Sequence, residues 1–126
     1  PGAAFAAADV TVTDALDGLA MDLAPAYGSV PGLGRYRRSV HLTDTGLTLR
    51  DETDYPGTVA LTLMSVEKPV ISGACVHLGT LAEVKTDGKI VTEAVPIAAP
   101  RLRQAWPDTL YRTRIYFTQQ LSLVIE

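Results

Sequence analysis

The sequence predicts an all-β domain, an antiparallel two-layer β-sandwich of about ten short strands. Three observations point there. The apolar positions recur with a period of two over most of the chain, as in Val59, Leu61 and Leu63 or Tyr111, Thr113, Ile115 and Phe117. Turn residues recur at short intervals between these runs. No helical window exceeds about ten residues. The 126 residues suit one domain, residues 1–126.

In chain order, strands are expected over residues 8–13, 18–24, 35–43, 47–53, 58–66, 69–72, 75–79, 81–86, 89–97, 110–118 and 120–126. Two helix-friendly alanine stretches, residues 3–8 and 14–21, lack an amphipathic face, and Gly18 interrupts the second. Asp44-Thr45-Gly46 reads as a three-residue hairpin with Gly46 in the left-handed conformation. Pro56-Gly57 and Ser72-Gly73 are further breaks. Asp87-Gly88 reads as a type I′ link, with positive φ at both residues, between the strands on either side. The proline- and glycine-rich residues 24–34, and residues 98–108 around Trp106, are long loops. The expected core is Val40, Leu42, Leu47, Leu49, Leu61, Leu63, Ile115, Phe117, Leu121 and Leu123.

Composition limits the chemistry. Eleven Lys and Arg against fourteen Asp and Glu give a net charge of −3, where a protein held to nucleic acid by phosphate contacts carries a basic excess. No apolar run is long enough to span a bilayer, and residues 1–8 lack the basic start of a signal peptide. The one cysteine, Cys75, excludes an internal disulfide and any multi-cysteine metal site. It reads as a small hydrophobe rather than a nucleophile. His41 and His77 fall on different strands and in no spaced ligand motif, so no metal or other cofactor is expected.

The charge is uneven. Residues 1–34 hold four Asp and no basic group, and the basic residues gather at Arg35, Arg37 and Arg38 and again at Arg101, Arg103, Arg112 and Arg114. Solvated faces paired with acids account for most such groups. A surface for an anionic chain such as an acidic polysaccharide is the sharper reading. The run from Arg35 to His41 holds the residue types of a polysaccharide lyase, a Tyr or His base and an Arg neutraliser. On a strand, however, Arg37 and His41 project to one face and Tyr36 and Arg38 to the other. This strand alone therefore cannot assemble the set, and the chain by itself is expected not to be catalytic. Arg38 shares the apolar face, where an unpaired charge is costly, and Asp51 on the next strand is its expected structural partner. Arg37 and His41, with Arg35, are the candidates for binding a glycan. Core or anchoring duty is expected of most of the tyrosines, over a sugar-stacking platform with Trp106.

Three phrases carry a family resemblance. Asp22, Leu23, Ala26 and Tyr27 form an Asp-Leu-x-x-Ala-Tyr phrase, Arg37, Arg38 and Val40 an Arg-Arg-x-Val strand, and Leu47, Leu49 and Asp51 an alternating strand ending in Asp. In this order they resemble the β-sandwich region of heparinase II/III-like polysaccharide lyases, and the link at Asp87-Gly88 and the final pair of strands fit its C-terminal end. The resemblance implies that the active-site Tyr and His lie upstream, in an α-helical toroid and a His-Asn-Thr phrase. The chain has no Asn, so no catalytic residue is carried over. The expected function is thus a non-catalytic C-terminal domain, a fragment of a larger lyase-like protein. Its expected partners are the parent's catalytic domains and an acidic glycan, and the family places it in the periplasm or outside the cell. The alternatives are a free-standing carbohydrate-binding module and a protein-interaction β-domain.

Overall fold

The computed structural model describes residues 6–126. The expectations for residues 1–8 therefore lie mostly outside the described residues. Eleven strands form two antiparallel sheets: β1 (Ala8–Val12), β2 (Gly18–Asp22), β3 (Tyr36–Thr43), β4 (Gly46–Thr53), β5 (Val59–Ser65), β6 (Val70–Ser72), β7 (Cys75–Leu78), β8 (Ala82–Thr86), β9 (Lys89–Pro96), β10 (Thr109–Phe117) and β11 (Gln120–Ile125). The larger sheet has the order β1-β2-β3-β4-β11-β8-β7-β6, and the smaller β5-β10-β9. The all-β sandwich is thus the fold. Among the described residues, no helix is long and apolar enough to cross a membrane.

The chain changes sheet four times, after β4, β5, β8 and β10. The last strand, β11, lies between β4 and β8, with Leu123 opposite both Leu49 and Thr86. It joins two meanders, β1 to β4 and β6 to β8, into one sheet. The long loops at residues 24–34 and 98–108 each contain one short 3₁₀ turn, Ala24–Tyr27 and Leu102–Gln104.

Alternation along each strand builds the core. Ile115 and Leu121 are fully buried, as are Val76 and Val84, and Leu61, Leu78, Phe117 and Leu123 join them. Leu49 and Leu63 pack against this cluster half-buried, and Val40 and Leu47 are also half-buried. Leu42 departs from expectation: it is 55% exposed. Its pattern is that of an inward residue, but the three strands of the smaller sheet cannot cover all eight of the larger.

The turns depart further. Asp87-Gly88 is not a hairpin, since β8 and β9 belong to different sheets. Neither residue has positive φ. Glycine is required there by proximity: a Cβ on Gly88 would lie 2.5 Å from Ile115 Cγ2, 2.9 Å from Leu121 Cδ1 and 3.0 Å from the Tyr116 carbonyl oxygen. Gly46 likewise has no positive φ. It opens β4 opposite Thr43, leaving Asp44-Thr45 as the loop, and a Cβ on it would strike the Ile125 carbonyl. The final strands β10 and β11 are consecutive but unpaired, one in each sheet.

Candidate functional site

Strand β3 separates its side chains as alternation dictates. Tyr36 is buried at 3% exposure, and Arg38 is half-buried on the same inner face. Arg37 and His41 stand exposed on the outer face, and Arg35 is exposed just before the strand.

On the inner face, Arg38 lies directly opposite Asp51 in the β3–β4 register. The structure brings them together in a two-pronged contact: Nε donates to Asp51 Oδ1 at 2.7 Å and Nη2 to Oδ2 at 2.7 Å. Tyr36 Oη also donates to Asp51 Oδ2 at 2.7 Å. Arg38 Nη2 lies 3.3 Å from the Tyr36 hydroxyl. Asp51 is wholly buried, and these donors satisfy a carboxylate that would otherwise be prohibitively placed. The hydrogen bond to Asp51 pushes the Arg38 pKa up. Burial, with the bond to Asp51, pushes the Tyr36 phenol well above its ordinary value. Tyr27 stacks on the Tyr36 ring with centroids 5.8 Å apart and planes at 16°. Beside this pair a cavity of about 260 Å³ is lined by Val30, Leu33, Tyr55 and Val59. Trp106, half-exposed on its own loop, does not line it.

On the outer face, the acids opposite Arg37 are engaged elsewhere. Asp22 Oδ1 accepts the backbone N–H groups of Ala24 and Tyr36, at 2.9 and 3.0 Å. Glu52 is held by Arg50 at 2.8 Å. Among the described residues, Arg35 and Arg37 form no ion pair. The Arg35 backbone is fixed instead, because Asp54 Oδ1 accepts the N–H groups of Gly34 and Arg35 at 2.9 Å each. These bonds, that from Arg35 foremost, lower the Asp54 pKa from its ordinary 3.8. His41 Nδ1 lies 3.9 Å from Asp17 Oδ1, so it does not stand free of acid. Two adjoining depressions, about 290 and 330 Å³, share Ser39 and His41 and run across β1, β2, β3, β4 and β11. Small residues, among them Gly18, Ala20, Thr48 and Ser122, line this trough, and Arg50 lies beside it.

In the second basic cluster, Arg103, Arg112 and Arg114 are paired with acids. Glu93 on β9 accepts from Arg112 Nε at 2.6 Å and meets Arg114 Nη2 at 2.9 Å. Asp108 holds Arg103.

One grouping escaped the sequence reading. Cys75, His77 and Glu83 gather on the outer face of the β7–β8 hairpin. The available signal was the spacing: residues i and i+2 of a strand share a face, so a Cys-x-His strand presents both donors together. The chain matches no known family model and no curated protein.

Proposed function

We propose that this chain is the non-catalytic C-terminal β-sandwich of a heparinase II/III-like polysaccharide lyase, which packs on the parent's catalytic domains and offers Arg35, Arg37 and His41 to an acidic glycan. The observation that carries the reading is the uncovered inner face at the β1–β3 end of the large sheet. There Val12 and Leu42 are 55% exposed each, beside the half-buried Leu19, Val40 and Leu47. The chain exposes 8018 Å², against roughly 6,500 Å² for a monomer of its mass. An apolar sheet face of this kind suits a neighbouring domain.

The three resembling phrases support the same reading. They lie on β2, β3 and β4 and in the turn after β2, and Asp22, Arg38 and Asp51 hold the fold together through buried or backbone hydrogen bonds. Tyr36, the phenol nearest the arginines, is a poor base: it is buried, it donates to Asp51 and its pKa is raised. Arg37 and His41, four residues apart on one strand face, span about 13 Å, and the trough of small side chains that His41 lines suits an extended polymer.

The test has two arms. The purified chain should release no unsaturated uronate from heparin, heparan sulfate or alginate, followed by ultraviolet absorbance. The same chain should bind one of these polymers in a calorimetric titration, with Arg37→Ala weakening binding severalfold. Lyase activity that disappears with Tyr36→Phe or His41→Ala would overturn the non-catalytic assignment. Upstream of residue 1, the reading frame should encode a helical region ending in His-Asn-Thr, and an unrelated domain there would refute the family.

A further inference from the structure

We propose that the outer face of the β7–β8 hairpin is a transition-metal site, with Cys75, His77 and Glu83 as ligands and zinc(II) as the ion that suits them. The three side chains each place one donor atom within 4.8 Å of the others. His77 faces Glu83 across the strand pair, Nδ1 to Oε2 at 3.4 Å. Cys75 lies two residues along the same face, opposite Lys85 in the strand pairing and beside the His77–Glu83 pair. A tetrahedral zinc, with bonds of about 2.3 Å to sulfur and about 2.0–2.1 Å to nitrogen and oxygen, needs donors roughly 3.3–3.6 Å apart. His77 and Glu83 already stand at 3.4 Å, and the remaining donor separations, within 4.8 Å, must shorten by about 1 Å for an ion to be held.

The backbone beneath is well anchored. Val76, Leu78 and Val84, on the opposite face of the hairpin, are all buried in the core. Thiolate, imidazole and carboxylate together favour zinc and its neighbours over magnesium or calcium. On binding, Cys75 releases its thiol proton to solvent, and the thiolate and carboxylate then balance the two charges of the ion. Water fills the fourth position.

Lys85 is the group that competes. Its Nζ lies 3.0 Å from Glu83 Oε1, and also 3.0 Å from Glu126 Oε2. When the metal takes Glu83, Lys85 keeps Glu126 as its partner. Glu126 stays in place, because its backbone exchanges hydrogen bonds with that of Glu83 at 2.8 and 2.9 Å.

Cobalt(II) titration of the full chain tests the site, since a thiolate ligand gives a near-ultraviolet charge-transfer band. Zinc competition then supplies the affinity. The wild type should show the band and gain thermal stability with zinc, and Cys75→Ser should abolish both. His77→Gln and Glu83→Gln should weaken zinc binding by more than the roughly tenfold to hundredfold that losing an outer partner costs. Lys85→Met should bind zinc at least as tightly as the wild type. Circular dichroism of each metal-free variant verifies that it folds. Absence of the cobalt–thiolate band in the wild type, or zinc binding undiminished in both Cys75→Ser and His77→Gln, would overturn the proposal.

Discussion

At Asp51 a full charge sits out of contact with water, and three donor contacts keep it there. Removing one partner of a buried pair leaves the other uncompensated, at a cost of about 3–5 kcal/mol. Arg38→Ala should therefore lower unfolding stability by that amount in urea titrations. Arg37→Ala, exposed and without an ion pair, should change it by less than about 0.5 kcal/mol. Equal effects would mean that β3 does not present these two arginines to opposite faces. Thr113 poses the converse case. It is fully buried in β10, and its hydroxyl has no hydrogen-bond partner among the described residues. Thr113→Val keeps the shape and removes the unpaired polar group, so stability should rise by about 1 kcal/mol. A loss would show that the hydroxyl is satisfied by water.

Between elements, the β8–β9 link, which changes sheet, is closely packed. Gly88 lets the chain pass close against β10 and β11, and a methyl group there meets Ile115, Leu121 and a backbone oxygen. Gly88→Ala should destabilise by about 1–3 kcal/mol through overpacking, with the unfolding slope in urea unchanged. A neutral result would mean that this link moves aside freely. The approach to β3 depends on Asp54, whose carboxylate accepts two backbone N–H groups. Because the folded-state pKa lies below the ordinary 3.8, the folded form binds the proton more weakly than the unfolded chain does. Its stabilisation is complete above that value and is lost as pH falls through the folded-state pKa. Wild type and Asp54→Ala should thus differ in Tm at pH 7 and converge as pH drops below 3.8. A gap that persists unchanged in acid would locate the effect outside the carboxylate.

Across the whole molecule, unequal sheets decide which apolar residues matter. Leu123→Ala, in the doubly covered centre, should cost about 2–5 kcal/mol. Leu42→Lys, under the open end of β3, should cost less than about 0.5 kcal/mol. It should also reduce dye binding to exposed apolar surface. A large loss from Leu42→Lys would mean that this end is covered in solution.

Strand positions, the faces of Arg37 and Arg38 and the inward set around Ile115 and Leu123 were legible in the sequence, because alternation is a local property with a fixed period of two. From that alternation the opposition of Arg38 and Asp51 also follows, once adjacent strands β3 and β4 pair through a short turn. Tertiary structure alone decided the rest. The assignment of strands to sheets depends on crossings that leave no local pattern: Asp-Gly has the composition of a hairpin turn but here joins two layers, and β11 is drawn between strands distant in sequence. Leu42 is apolar at an inward position, yet its exposure is set by the width of the opposite sheet. Cys75, His77 and Glu83 converge because β7 and β8 pair in one register, which places Glu83 across from His77. Long-range pairing and layer size are collective outcomes of packing, and no single segment encodes them.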